Sequence, residues 1–209
     1  MQHASDTLTA AWRRAWRELD AGPNDALLAT LLAAWSEPHR HYHTLQHLAE
    51  CIAHLDAARG QAQRPAEAGL ALWFHDAVYG PRRHDNEQRS ADWARDSLLQ
   101  AGVSRAAAQR VQAFVLATRH DAPALEPDAR LVIDIDLAIL GASRERFDEY
   151  ERQVRLEYAH VPETDYRAGR IRILRAFAER PMLYATEFFR SRFEASAREN
   201  LARSIASLR

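Results

Sequence analysis

Apolar residues recur at three- and four-residue spacing along most of the chain, which is the pattern of amphipathic α-helices. One run consists of Leu27, Leu28, Leu31, Leu32 and Trp35, and another of Leu45, Leu48, Ile52 and Leu55. The pattern predicts an all-α fold, a helical bundle of about nine or ten helices.

Short segments rich in Gly, Pro, Asn and Ser separate the predicted helices. They are GPN (22–24), SEPHRHYH (36–43), RGQAQRP (59–65), YGPRRHDN (79–86), AGVS (101–104), HDAPALEP (120–127) and AHVPE (159–163). Thr44, Asn86 and Ser104 each stand immediately before an apolar periodic run, so we predict that they cap the helices that follow.

The segment LVIDIDLAIL (131–140) is the one part of the chain that resembles a β-strand, because Leu131, Ile133, Ile135 and Leu137 alternate with other residues. A lone strand would have no partner for its backbone hydrogen bonds. We therefore predict a buried helix here, since burial commonly overrides the low helix propensity of β-branched residues.

The chain has 209 residues, of which 47% are hydrophobic, enough to bury the core of one ordinary domain. No low-complexity tract or solenoid repeat divides it. We predict a single domain over 1–209, with N-terminal helices in 1–36, a core in about 37–142 and C-terminal helices in 143–209.

Charge and cysteine content limit the partners of this protein. The 28 Lys and Arg residues nearly balance the 29 Asp and Glu residues, which argues against binding to a nucleic acid polymer. No secretory leader and no long uncharged apolar stretch is found, so we expect no membrane association. The single cysteine, Cys51, forms no disulfide within the chain, and a cytoplasmic location fits best. The oligomeric state cannot be predicted.

Histidines are frequent and clustered, because several of the ten lie in 39–54 and 75–84. The most informative element is ALWFHDAVYG, in which His75 and Asp76 follow the apolar residues Trp73 and Phe74. Burying an unpaired carboxylate is costly, so this pair suggests a metal ion, although a His–Asp hydrogen bond at a helix end would also satisfy it.

Together, His47, His75-Asp76 and Asp136 follow the order H…HD…D of the HD superfamily of metal-dependent phosphohydrolases. The segments RHYHTLQH (40–47), FHDAVYG (74–80), DNEQRSA (85–91) and DIDLAILG (134–141) resemble a group of small bacterial proteins described as predicted metal-dependent HD phosphohydrolases. This resemblance covers roughly residues 35–205 and implies a helical HD-domain fold with His47, His75, Asp76 and Asp136 as metal ligands.

Two ligand assignments stay open at this point. Either His43 or His47 could be the first ligand, because the two are four residues apart and would share one helix face if the helix begins early. His47 is preferred because it follows Thr44 and lies inside the predicted helix. Either Asp134 or Asp136 could be the last ligand, and the resemblance favours Asp136, which precedes a leucine-containing run.

Two imidazoles and two carboxylates form a mixed nitrogen and oxygen set that suits a divalent ion such as Mn, Co, Ni, Fe, Zn or Mg. Such an ion activates water and neutralises charge on phosphoryl oxygens. We therefore expect hydrolysis of a phosphoester of a small phosphorylated metabolite, with a nucleotide as the leading candidate, and we assign the catalytic roles to His75 and Asp76.

Further residues are candidates for binding the substrate. His43 would lie at the rim of the site, and Glu87 and His120 could contact the substrate or, for His120, a second metal. Arg155 and Arg170 are predicted to face the metal and to neutralise a phosphate, the usual role of bidentate guanidinium groups.

Two other functions fit the same residues. A di-iron oxygenase on the HD scaffold would need additional histidine ligands, for which His84 and His120 are the evident candidates. A regulator that binds a nucleotide or a metal without turnover is the non-enzymatic alternative.

Overall fold

The computed structural model describes residues 2–120 and 126–209, with side chains from Asp6 onward. Within these residues it contains ten α-helices, two short 3₁₀ helices and no β-strand, so the predicted all-α fold is confirmed. The α-helices are α1 (Gln2–Glu18), α2 (Asp25–Ala34), α3 (Leu45–Ala57), α4 (Pro65–Phe74), α5 (Asn86–Gln100), α6 (Arg105–Ala117), α7 (Pro127–Asp136), α8 (Arg144–Glu157), α9 (Glu163–Ala178) and α10 (Glu187–Ser207). The 3₁₀ helices are Arg59–Gln61 and Leu137–Gly141.

The segment 131–140 is helical, as predicted, because α7 runs into the 3₁₀ helix Leu137–Gly141. Leu131, Val132 and Ile135 are buried in it, so burial outweighs the low helix propensity of its β-branched residues. The predicted break at 120–127 lies partly outside the described residues, which omit 121–125 and thus Asp121.

Two of the three predicted helix caps are confirmed. The Thr44 side chain accepts a hydrogen bond from the backbone N–H of Gln46, and the Ser104 side chain accepts one from Ala107. The prediction for Asn86 is wrong, because α5 begins at Asn86 itself and Asp85 occupies the position before it. The Asn86 amide instead bonds both the N–H and the C=O of Gly80, which fixes the loop before α5.

The chain forms two compact units, Met1–Ile133 and Asp134–Arg209, and the boundary falls inside α7. In the first unit α4 is central and packs against α1, α3, α5 and α6. Every residue from Ala66 to Phe74 is buried, which explains why its sequence is apolar on all sides. The indole rings of Trp12 and Trp73 meet edge to face, with centroids 5.1 Å apart.

In the second unit α10 packs against α9 and against the 3₁₀ helix Leu137–Gly141. The Tyr184 hydroxyl donates to the Leu137 carbonyl, and the Asn200 amide donates to the carbonyls of Leu140 and Ala142. These side chains thus provide hydrogen-bond donors for carbonyl groups of the short helix and of the residue after it, where helical N–H partners are lacking.

Replacing Gly141 by Ala should destabilise the second unit. A Cβ at Gly141 would lie 2.6 Å from both the Cβ and the backbone oxygen of Phe193, and backbone cannot yield as a flexible side chain can. We expect a loss of at least about 1–3 kcal/mol, the usual cost of overpacking. Gly169→Ala is the matched control, because its Cβ would come no closer than 3.8 Å to Arg172 and Ala favours the interior of α9.

Urea unfolding of the two variants measures the difference. Gly169→Ala should be as stable as the wild type or more so, whereas equal midpoints for both variants would show that α10 can shift at Phe193 without cost.

Candidate metal centre

The centre of the candidate site is the end of α4, where His75 and Asp76 follow the last helical residue. The His75 side chain is 1% exposed, and its Nδ1 lies 2.8 Å from the Leu72 carbonyl oxygen. A carbonyl oxygen only accepts, so Nδ1 carries a proton, and Nε2 is the ring nitrogen that His75 turns toward the site. Histidine ligands of metals are commonly fixed by this kind of second hydrogen bond.

His47, in the first turn of α3, faces His75 from the other side. It is 2% exposed, and its Nε2 lies 3.1 Å from the Nε2 of His75. Two nitrogens bonded to one ion at about 2.0–2.1 Å lie about 2.8–3.4 Å apart at octahedral to tetrahedral angles, which includes this separation. The same distance allows an N–H···N hydrogen bond when no ion is present.

The hydroxyl of Tyr42 lies 3.0 Å from His47 Nδ1. Because a tyrosine oxygen can accept as well as donate, it can hold the His47 tautomer that turns the Nε2 lone pair toward His75. Tyr42 itself is buried, with 5% exposure. Both buried histidines therefore have a neighbour that suits metal ligation through Nε2.

The Asp76 carboxylate lies where three imidazoles meet. Its Oδ2 is 3.1 Å from His75 Nε2 and 3.9 Å from the Nε2 atoms of both His47 and His43. The Asp76 side chain is 16% exposed, so the group is partly accessible to solvent. A carboxylate beside neutral imidazoles is the mixed donor set that divalent ions bind.

His43 and His47 occupy different places in the site. His43 is 21% exposed and stacks on the Tyr79 ring, with centroids 4.0 Å apart. It lies in the loop before α3, whereas His47 lies inside the helix and contacts His75 directly. Of the two alternatives for the first ligand, this geometry favours His47, and it places His43 at the rim of the cluster.

Cys51, one turn after His47 on α3, was not among the predicted site residues. The donor atoms of His47, Cys51 and His75 lie within 4.8 Å of one another, so these three buried residues form a cluster that could hold a metal ion. The Cys51 Sγ is 3.8 and 3.7 Å from the two ring nitrogens of His47. The four-residue spacing from His47 was the available sequence signal.

The structure distinguishes Asp134 from Asp136 within the second unit. The Asp134 carboxylate accepts hydrogen bonds from the backbone N–H groups of Ala185 and Thr186 and from the Thr186 hydroxyl, at 2.6–2.8 Å. Burial raises the pKa of Asp134 above its usual value, while the bonds from Thr186 and Ala185 oppose that shift. Asp134 therefore anchors the start of α10, and Asp136, half-buried at the last position of α7, remains the candidate ligand.

Glu87 and His120 each lie near the end of a helix. Glu87 lies in the first turn of α5, where the helix N-terminus stabilises a carboxylate. His120 follows α6 with a backbone φ of 58°, a left-handed conformation that is uncommon outside glycine and asparagine. Contacts of both residues with a substrate stay predictions.

Arg155 and Arg170 have partners in the second unit. Arg155 pairs with Glu163, donates to the carbonyls of Tyr158 and Val161 and borders a cavity of about 490 Å³. Arg170 is buried, pairs with Glu151 and lies over the Tyr150 ring. These contacts give both arginines a structural role and do not favour the phosphate contact, which stays a prediction.

Comparison of the chain with protein-family models, with curated proteins and with solved structures gave no match. Within the described residues, no helix combines the length and apolar character that crossing a membrane requires.

Proposed function

We propose that this protein is a metal-dependent phosphohydrolase that acts on a small phosphorylated metabolite, with a nucleotide as the leading candidate. The observation that supports it most is the pair of buried Nε2 atoms of His47 and His75, 3.1 Å apart, beside an Asp76 oxygen 3.1 Å from His75. Two neutral imidazoles and a carboxylate at this spacing suit a divalent ion with positions left for a substrate.

The residues present fit such an ion. The Nδ1 of His75 is held by a carbonyl and that of His47 by a hydroxyl, so the nitrogens turned toward each other are the ones available for ligation. If the Cys51 thiol also approaches the ion, softer metals such as Zn, Fe or Co are favoured over Mg. A reducing cytoplasm, as the sequence predicts, would preserve that thiol.

We propose Asp136 as the fourth ligand. The Asp128 carboxylate, near the start of α7, accepts hydrogen bonds from the backbone N–H groups of Gln63 and Arg64, directly before α4. α7 ends at Asp136, and the neighbouring Asp134 carboxylate is engaged by the start of α10. Asp136 is therefore the aspartate at the end of α7 that we assign to the ion.

A divalent ion in this site would neutralise charge on the phosphoryl oxygens and activate a water molecule. His47 and His75 hold their nitrogens in place, and their burial keeps bulk water from competing. Asp76 turns Oδ2 toward the histidines. We assign to its other oxygen, Oδ1, the role of orienting the attacking water and accepting its proton. We assign the contact with the leaving group to His43, which is partly exposed at the rim.

An HD-scaffold di-iron oxygenase is the second candidate, and the observation that favours it is the third imidazole. His43 Nε2 is as close to Asp76 Oδ2 as His47 Nε2 is, at 3.9 Å, so the site is richer in nitrogen than one ion requires. An oxygenase would consume oxygen in an iron-dependent reaction and release no phosphate.

Metal analysis of the purified protein, followed by a phosphate-release screen, tests the proposal. The screen would cover nucleotides and sugar phosphates, each with Mn, Co, Ni, Fe, Zn and Mg. We expect about one or two divalent ions per chain, as in mono- and dinuclear hydrolytic sites, and release of inorganic phosphate that a chelator stops. Bound metal with no phosphate release from any substrate, together with iron-dependent oxygen uptake, would favour the oxygenase instead.

A further inference from the structure

The Arg40 side chain is buried among the segments that carry the candidate ligands, with no solvent-exposed surface. It lies in the loop between α2 and α3, a position at which arginine is ordinarily solvated. A buried guanidinium requires partners for its five N–H groups. Its partners identify what this residue does.

Three of its four partners are backbone carbonyls of the segments that form the site, and the fourth is a carboxylate of the same loop as Arg40. Nη1 donates to the Asp76 carbonyl at 2.7 Å and to the His43 carbonyl at 3.2 Å. Nη2 donates to the Ala77 carbonyl at 3.0 Å, and Nε donates to the Glu37 carboxylate at 3.0 Å. One side chain thus connects the backbone that leads into α3 with the backbone that follows His75.

Aromatic rings hold the guanidinium in place. Its Cζ lies 5.6 Å from the Trp35 centroid and 5.4 Å from the Tyr79 centroid. Tyr79 stacks on His43, and Trp35 lies 5.4 Å from the His75 ring while its indole N–H donates to the Trp73 carbonyl. The rings that surround Arg40 therefore also contact the site histidines.

We propose that Arg40 is a positioning residue of the metal centre: by binding the carbonyls of His43, Asp76 and Ala77 together, it fixes the segment that leads into α3 and His47 against the His75-Asp76 pair and so sets the affinity for the divalent ion. This inference rests on the proposed metal-dependent function. Planar donors in a fixed geometry suit this role, and a lysine ammonium cannot reproduce it.

Charge and geometry make opposite predictions for Arg40. A buried cation near a cation-binding site weakens metal binding by repulsion, an effect that the Glu37 carboxylate offsets. If repulsion dominated, removing Arg40 would strengthen metal binding. If positioning dominates, removal weakens it, because the ligands lose their fixed separation.

The test compares Arg40→Lys and Arg40→Ala with the wild type by measuring the Kd for Co²⁺ in competition with a chromophoric chelator, well below the melting temperature of each protein. We expect the Kd to rise by about 10- to 100-fold in both variants, the usual effect of losing a residue that supports metal ligands. Arg110→Lys is the matched control, since it breaks a bidentate pair with the buried Glu67, which lies on α4 two turns before His75, and Arg110 bonds none of the candidate ligands there. It should lower stability and leave the Kd unchanged.

Three outcomes would overturn the proposal. A lower melting temperature with an unchanged Kd would make Arg40 purely structural. Tighter Co²⁺ binding by Arg40→Ala, with Arg40→Lys like the wild type, would make its charge the relevant property. If the wild type binds no divalent ion, both the proposed function and the positioning role fail. A raised Kd in the Arg40 variants of a protein that releases no phosphate supports the role of Arg40 and rejects only the proposed reaction. If Arg40→Ala does not fold, Arg40→Lys alone decides.

Discussion

Replacing Asp76 by Ala is expected to abolish both stoichiometric metal binding and phosphate release. The Asp76 Oδ2 lies within 3.9 Å of the Nε2 atoms of three histidines, so its loss removes the anionic donor on which they converge. Neutral imidazoles alone bind a divalent ion more weakly, and the second carboxylate oxygen is also lost to the attacking water. We expect the metal affinity to fall by more than about 100-fold, beyond the range for supporting residues.

His54→Gln is the control for this experiment, because His54 lies on α3 two turns after His47. Burial lowers its pKa, so it is an uncharged imidazole of the same type on the same helix. The control should retain both metal and turnover, as should His39→Gln. Metal content by elemental analysis and phosphate release would be measured on the same preparations. An Asp76→Ala protein with one ion per chain and normal phosphate release would refute the site as described.

The helices could be predicted from the sequence because their apolar spacing is regular and their breaks contain Gly, Pro or capping residues. The segment 131–140, which could be a strand or a helix by its pattern, is helical because burial outweighs the strand propensity of its β-branched residues. The break between α9 and α10, at 179–186, was not predicted, although Pro181 marks it. Asn86 was misassigned because its amide bonds Gly80, a contact that the local pattern does not show.

Part of the candidate site could also be predicted, because an ionisable pair after an apolar helix is costly without a partner. The contacts of His47 and His75 agree with that reading. Cys51 was missed because a cysteine on a helix face usually belongs to the core. Arg40 was missed because its partners at Asp76 and Ala77 are distant in sequence. Such long-range hydrogen bonds leave no periodic signal.

The helical pattern alone does not separate Asp134 from Asp136, and only the resemblance favours Asp136, because the partners of Asp134 are near Thr186, distant in sequence. The structure now predicts opposite effects for two matched variants. Asp134→Asn should destabilise the protein by about 2–4 kcal/mol, because three charge-assisted hydrogen bonds to the start of α10 are weakened or lost. Asp136→Asn should leave the stability close to that of the wild type and weaken metal binding by at least about 10-fold, as expected when a carboxylate ligand becomes neutral.

Urea unfolding of the metal-free proteins and Co²⁺ titration, each on both variants, separate the two effects. Asparagine keeps the size of aspartate, so a difference between the variants reports on charge and hydrogen bonding and not on a cavity. The titration is done at low temperature, where Asp134→Asn remains folded and should bind Co²⁺ like the wild type. If Asp134→Asn instead loses the metal while Asp136→Asn keeps it, the assignment of Asp136 is wrong. The hydrogen bonds from Ala185 and Thr186 to Asp134 must then break so that Asp134 can bind the ion.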